Sequence, residues 1–208
     1  MSDRMTAPLT IGALDLAALL CSRLCHDLIS PVGAIINGLE VIEEDKDEET
    51  KTFALDLIKK SATQASAKLQ FCRLAFGAAG AQIELGDAEK AARGLLEDGK
   101  TTLVWNLPRA LVAKNRAKLL LNMLLVASGT IPRGGTLTAE PMSEGYQVSA
   151  RGLNARLGPA TADLLAGSPA EPVNAHAIQP VYTGILARDC GLAITAGIQA
   201  DTVVVTAV

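Results

Sequence analysis

The chain has 208 residues, of which 49% are hydrophobic and 20% are charged, and its formal net charge at pH 7 is −3. This composition excludes a disordered chain. The slightly acidic balance and the 3% aromatic content argue against nucleic acid as a partner. The longest apolar run, residues 119–127, is much shorter than the ~20 residues of a membrane span, and no secretory signal is recognisable at the start. We therefore expect a cytoplasmic protein without a membrane partner, whose cysteines are reduced, small buried residues.

The N-terminal third predicts a long helical hairpin. After a loose tail over residues 1–12, helices are expected over residues 13–44 and 48–76, separated by a charged turn. Pro31 lies inside the first helix and should kink it. The predicted apolar stripes are Leu16, Leu19, Leu20, Leu24, Leu28, Ile35, Leu39 and Ile42 on the first helix, and Phe53, Leu57 or Ile58, Ala62, Ala65, Leu69, Cys72 and Phe76 on the second.

A hairpin of this length, residues 13–78, has a wide apolar face and nothing of its own to cover it. Two copies would bury that face in a four-helix bundle, so the pattern predicts a homodimer. The alternative is that the downstream domain folds back over the same face.

The remaining part of the chain, residues 84–208, predicts a second domain of a different type. Helices are expected over residues 87–98, 110–128, 159–166 and 178–190, and strands over residues 101–107, 135–140, 146–150, 192–196 and 202–206. Helices interleaved with neighbouring antiparallel strands indicate an α/β sandwich with the helices on one face of a sheet. The whole chain is thus expected to be α+β.

The chain has two histidines, and His26 is the candidate for chemistry. It lies on the polar stripe of the first helix, and Asp27 follows it directly. A neutral imidazole is a good nucleophile toward phosphorus, and Asp27 is suited to fix its tautomer by accepting the N–H of one ring nitrogen. Arg23, Ser22 and Ser30 share this face at helical spacing, and Arg23 is suited to neutralise an incoming phosphoryl group.

His176 and a group of basic residues are further candidates, and each also has an interpretation that involves no function. His176 is expected to be a surface or helix-capping residue. A basic group is either an ordinary solvated face or a docking surface for acidic partners; its members are Arg109, Lys114, Arg116 and Lys118.

The segment from His26 to Pro31 resembles the phospho-acceptor box of sensor histidine kinases, in which an acidic residue follows the histidine and a proline comes five positions later. The resemblance extends over about residues 13–208. It implies a helical hairpin that dimerises into a four-helix bundle, followed by an ATPase-like α/β domain. It also implies that His26 is the phospho-carrier.

The second domain departs from that family where ATP would bind. The helix with Asn122 resembles the one that carries the kinase asparagine box, but Val126 replaces its Mg²⁺-binding asparagine. Ala150 stands where an aspartate would recognise adenine, Asn154 replaces a glycine, and no glycine-rich phosphate lid precedes residue 178. The ATPase-like domain is therefore interpreted as degenerate, with no cofactor bound by this chain.

A retained histidine box beside a degenerate ATP site resembles the dimeric histidine phosphotransferases of alphaproteobacterial cell-cycle phosphorelays. The resemblance implies an enzyme that moves phosphate through His26, from the receiver domain of a hybrid histidine kinase to the receiver domains of response regulators. Mg²⁺ would come from the partner receiver. Two alternatives stay open: a non-catalytic dimeric scaffold that binds receivers, and, less favoured by Val126 and Ala150, an ATP-dependent kinase.

Overall fold

The computed structural model describes residues 11–78, 80–169, 172–175 and 177–208. The predicted tail lies almost entirely outside these residues, as does His176. The helices are α1 Ala13–Glu44, α2 Glu48–Ala75, α3 Leu85–Leu96, α4 Lys114–Ser128, α5 Thr161–Ala166 and α6 Ile178–Asp189. The strands are β1 Gln82–Glu84, β2 Thr101–Trp105, β3 Leu111–Ala113, β4 Gly135–Pro141, β5 Tyr146–Arg151, β6 Ile194–Gln199 and β7 Thr202–Ala207.

The two long helices form the predicted hairpin, and α1 continues through Pro31. Asp47 caps the start of α2, where its carboxylate accepts a hydrogen bond from the Thr50 backbone N–H at 2.8 Å. The helices approach each other closely at Gly38, because a Cβ atom there would lie 2.7 Å from Ile58 Cγ1 and 3.3 Å from the Ala54 carbonyl oxygen. Glycine is therefore required for this helix contact.

The second domain is an α/β sandwich, as predicted. Its five strands follow the order β2-β4-β5-β7-β6; β2 and β4 are parallel, and the other pairs are antiparallel. Alternate residues of β5 and β7 are buried, which gives the sheet one apolar face. The strongly apolar helix α4 packs on this face and forms the centre of the core.

The structure corrects the prediction of one helix over residues 110–128. Residues 111–113 instead form β3, which pairs antiparallel with β1, a strand that the sequence did not indicate. The Leu85 N–H donates to the Ala110 carbonyl, and the Lys114 N–H donates to the Ala81 carbonyl, so hydrogen bonds close both ends of the pair. Such short strands form because a distant partner satisfies their backbone groups, which local periodicity does not reveal.

The hairpin has two apolar faces where a single stripe was predicted. Leu24, Leu28, Ile35 and Ile42 lie partly buried toward α2. Leu39 is exposed and belongs to a second row, Ile29, Val32, Ile36 and Leu39, which we call the open stripe. On α2, Ile58, Ala65, Cys72 and Phe76 are partly buried, whereas Phe53, Ala62 and Leu69 are exposed, as expected for an apolar face that a single hairpin does not cover.

The four cysteines are also divided between exposed and partly buried positions. Cys21 and Cys25 are exposed on α1, which contradicts the expectation of buried cysteines, while Cys72 and Cys190 are partly buried. All four are free thiols. Cys25 lies one turn before Ile29, so it extends the open stripe toward the N-terminus.

The second domain covers the end of the hairpin that lies opposite its turn, where α1 starts and α2 ends. Phe71 and Ala75, near the end of α2, are completely buried in its core. The first turns of α1 pack through Leu16, Leu19 and Leu20 against a smaller cluster that includes Ile178. The open stripe, which lies between this end and the turn of the hairpin, stays exposed. The alternative in which the second domain covers the hairpin therefore holds for this end and not for the open stripe.

By length and composition, α1 would also be able to cross a membrane, since an 18-residue window has a mean hydropathy of 1.4. One such helix is weak evidence of a membrane span, because core helices of soluble proteins and signal sequences meet the same criterion. In this structure α1 pairs with α2 along its length and carries polar residues beside its apolar ones.

Candidate functional site

His26 and Asp27 lie together in the middle of α1, away from both ends of the hairpin. The His26 side chain is 74% exposed, and its Nδ1 lies 3.4 Å from Asp27 Oδ1. When Nδ1 carries the proton it donates to this carboxylate, and the lone pair for attack on an electrophile is then on Nε2. The predicted pairing of histidine and acid is therefore present in the structure.

The three supporting residues occupy different surroundings. Ser22 and Ser30 are exposed, one turn on either side of His26. Arg23 Nε lies 3.9 Å from Asp27 Oδ2, so its charge acts on the carboxylate behind the histidine. Arg23 also lines a cavity between α1 and the second domain. The structure thus places Arg23 beside Asp27, whereas the sequence analysis assigned it to an incoming phosphoryl group.

Lys68, which the sequence analysis did not single out, also contacts the site. It reaches from α2 across the hairpin, and its Nζ donates to the backbone carbonyl of Asp27 at 2.7 Å. Cys72, one turn further along α2, is half-buried behind Asp27. Burial, and secondly the nearby Asp27 charge, raise the pKa of its thiol to about 11. The register between α1 and α2 brings both residues to Asp27.

Asn122 is the structural anchor that the asparagine-box resemblance suggested. It is completely buried in α4, and its Nδ2 donates to the carbonyls of Ala75 at 3.0 Å and of Lys118 at 2.8 Å. Its Oδ1 accepts from Gln179 Nε2 on α6 at 2.6 Å. This amide therefore joins the end of α2 to two helices of the second domain.

The positions that would bind Mg²⁺ and adenine in a kinase are apolar and packed. Val126 is 7% exposed, and Ala150 is completely buried in β5, opposite Leu137 of β4 and Val203 of β7. Neither side chain has an oxygen ligand for Mg²⁺ or an acceptor for an adenine amino group. A cavity of about 310 Å³ remains beside Val126, bordered by Arg156 and Gln179.

The predicted basic surface is not a single patch. Lys118 is buried, and burial lowers the pKa of its ammonium group. Lys114 Nζ donates to the Ala78 carbonyl at 2.8 Å, and Arg116 donates to the carbonyl of Glu144. Two of the four side chains thus bind backbone carbonyls, a third is buried, and only Arg109 of the four is exposed.

Residues suited to a resident metal ion are missing from the part of the chain that the structure describes. There, no three histidine, cysteine, aspartate or glutamate side chains come together in a group able to hold a metal.

Comparisons with known proteins agree with this arrangement. Residues 85–202 match the family model described as the histidine phosphotransferase C-terminal domain. Protein phosphotransferase ChpT from Brucella abortus (strain 2308) is 46% identical over 211 residues, covering 98% of this chain and all of that protein. A solved structure described as a bacterial phosphotransferase at 1.7 Å superposes with a TM-score of 0.87 at 46% identity, covering 98% of this chain and 100% of the other. The chain therefore belongs to the histidine phosphotransferase family.

Proposed function

We propose that this protein is a phosphorelay intermediate that accepts a phosphoryl group on His26 and passes it to another protein without using ATP. The observation that carries the proposal is the position of His26, which is exposed beside Asp27 in the middle of a long helix. An exposed site is needed because both donor and acceptor are whole protein domains that must reach the same nitrogen. Membership of the histidine phosphotransferase family and the 46% identity to ChpT support the assignment.

The proposed reaction moves a phosphoryl group from the aspartyl phosphate of one receiver, through His26, to the aspartate of another. His26 Nε2 attacks the phosphorus of an acyl phosphate on a receiver domain; the N–P bond forms as the P–O bond breaks, and the receiver regains its carboxylate. The Nδ1 proton stays hydrogen-bonded to Asp27, which stabilises the positive charge that develops on the ring. The reverse sequence on a second receiver completes the relay.

The proposed partners follow from this chemistry. They are receiver domains, one of a hybrid histidine kinase and others of response regulators, and the acidic pocket of each receiver would hold the Mg²⁺ that neutralises the phosphoryl oxygens. In the second domain, Val126 and Ala150 support a role without nucleotide, because neither supplies a ligand atom. We place the protein in the cytoplasm, where such receivers act.

We also propose that the functional unit is a homodimer. The open stripe presents four large apolar side chains in a row on one helix, with exposures from 44% to 69%. Contiguous apolar surface of this kind marks an interaction site. A second copy of the hairpin is the natural cover, because it supplies an equally long apolar surface and completes a four-helix bundle.

The function is tested with a phosphorylated receiver and no nucleotide. Wild-type protein should gain a label that is stable in alkali and lost in acid, as expected for phosphohistidine. His26→Gln should gain none, while a matched substitution at an exposed residue of α1 far from the site, Glu40→Gln, should retain most of the label. Labelling of His26→Gln would disprove the carrier, and labelling by Mg-ATP alone would favour a kinase. Receiver binding without any label would favour a scaffold.

A further inference from the structure

We propose that Lys68 is a positioning residue for phosphoryl transfer, and that it acts by binding the Asp27 carbonyl that Pro31 leaves without its helical donor. This inference rests on the proposed role of His26. It assigns a function to a residue of α2 that the phospho-acceptor segment itself does not contain.

The need for Lys68 begins with Pro31. In an α-helix the carbonyl of each residue accepts the N–H of the residue four positions later. The donor for Asp27 would be residue 31, and proline has no N–H. Because Pro31 is buried and α1 continues on both sides of it, the Asp27 carbonyl lies inside the helix without its usual partner.

Lys68 supplies the missing donor. Its Nζ lies 2.7 Å from the Asp27 carbonyl oxygen, in a partly buried contact that links residues 41 positions apart in the chain. A hydrogen bond from an ammonium group is stronger than the backbone N–H hydrogen bond that it replaces. The missing bond of α1 is therefore replaced by a bond between the two helices, at the residue that follows His26.

The consequence for His26 is geometric. Asp27 Oδ1 faces His26 Nδ1, while the carbonyl of the same residue is held by Lys68. When the Asp27 backbone is held in place, the starting point of its side chain is also held. The carboxylate that orients the imidazole then has fewer positions available to it. Arg23, at 3.9 Å from Asp27 Oδ2, acts on the other carboxylate oxygen. Loss of the Lys68 bond should loosen the turn and lower the fraction of time in which the ring is correctly aimed.

The first experiment measures single-turnover transfer from a phosphorylated receiver at saturating concentration. We expect Lys68→Met to slow transfer about tenfold, as for the loss of one charge-assisted hydrogen bond, with little change in the receiver affinity. Lys68→Arg keeps a cationic donor and should remain within about threefold of wild type. Lys60→Met, on the exposed surface of α2, is the matched control and should transfer at the wild-type rate.

The decisive experiment combines Lys68 with Pro31. Pro31→Ala restores a backbone N–H to the Asp27 carbonyl, so in that background Lys68→Met should cost less than about twofold. If Lys68 instead neutralised the phosphoryl group directly, Lys68→Met would cost about tenfold in both backgrounds, and the proposal would be wrong. A wild-type rate for Lys68→Met alone would also overturn it.

A direct measurement keeps the inference testable even if a variant is unstable. With ¹³C-carbonyl-labelled aspartate, the Asp27 signal of the wild-type protein should move upfield in Lys68→Met and not in Lys60→Met. An unmoved signal would show that the bond is absent. His26→Gln in the same transfer assay separates the two hypotheses: if it still accepts phosphate, the proposed function fails whatever the Lys68 result.

Discussion

The hairpin and the α/β domain both carry long apolar patterns, yet they bury them very differently. In α4, ten of the 15 residues are buried, whereas in α1 only Pro31 and Gly38 are buried among 32 residues. The sheet and the helices of the second domain supply a complete cover for α4. Along the open stripe the hairpin has no cover of its own, so these apolar side chains face outward. An apolar pattern therefore predicts that a surface is buried. It does not show whether the same chain or another chain covers that surface.

The largest expected effect is on association through the open stripe. Ile36→Asp would place two unpaired charges in the interface of each dimer, and we expect the dissociation constant to rise about a thousandfold. Leu153→Asp is the control, since Leu153 is equally apolar and 69% exposed but lies in the second domain. Analytical ultracentrifugation over a range of concentrations measures both. A wild-type protein that is monomeric at micromolar concentration would contradict the dimer.

The second prediction concerns the buried amide that holds the two regions together. Asn122→Ala removes three hydrogen bonds and leaves the Ala75 carbonyl and the Gln179 amide without partners, so we expect a loss of about 3 kcal/mol in the free energy of unfolding. Asn106→Ala, which removes an exposed 3.3 Å contact to Glu140, should cost no more than about 0.5 kcal/mol. Urea denaturation distinguishes the two values, and equal losses would deny Asn122 its anchoring role.

The third prediction compares the closed and open faces of the hairpin by thiol reactivity. With its pKa at about 11, the Cys72 thiol is protonated at pH 8, and alkylation should be about a hundredfold slower than for an exposed cysteine. Cys21, on the open side, should react first. Mass spectrometry of a time course with iodoacetamide gives the order. Cys25 should react faster in the Ile36→Asp variant than in wild type if the open stripe is a dimer interface.

The fourth prediction uses two glycines of the same helix. Gly38→Ala should destabilise the protein by about 1 kcal/mol, because the new methyl group meets Ile58 at 2.7 Å. Gly33→Ala should instead be neutral or stabilising by up to about 1 kcal/mol, since nothing lies within 4 Å of its Cβ position and alanine favours the helix. Thermal unfolding of both variants measures the difference. The same sign for both would show that the helices do not meet at Gly38.

The smallest expected effect is at the turn of the hairpin. Hydrogen bonds from the backbone and the side chain of Thr50 lower the pKa of Asp47 below its ordinary value. The stability that Asp47 contributes is thus present above the pKa of the unfolded chain, near 3.8, and is lost as the pH falls through the lower folded value. Asp47→Ala should lower the melting temperature slightly at pH 7 and not at pH 2. An equal decrease at both pH values would contradict this origin.

The sequence predicted those features that depend on local pattern. The bounds of α1 were predicted correctly from its 3.6-residue periodicity, and the phospho-acceptor segment identified the pair of His26 and Asp27. The sequence pattern did not predict β1 and β3. Each strand is three residues long and is stabilised by a partner about 30 positions away in the chain. Lys68 was missed because its contact depends on the register of two helices.

The open stripe was missed for a different reason. Its residues alternate along α1 with those that face α2, so that two apolar rows merge into one pattern. The two rows can be separated only when it is known which side of α1 packs against α2. The periodicity of α1 alone does not show this.

The burial of Phe71 and Ala75 in the core of the second domain has a consequence for kinetics. A domain that delivers a bound nucleotide to a histidine on its own bundle has to swing toward it, so its rate includes a hinge motion. Here such a motion of the second domain would pull the ring of Phe71 out of the core. It would also break the hydrogen bonds of the Asn122 side-chain amide to Ala75 and Gln179. With the second domain fixed in place, each transfer begins with a collision between two proteins. The flux through the protein should therefore rise in proportion to the concentration of free receiver until its binding surface is saturated.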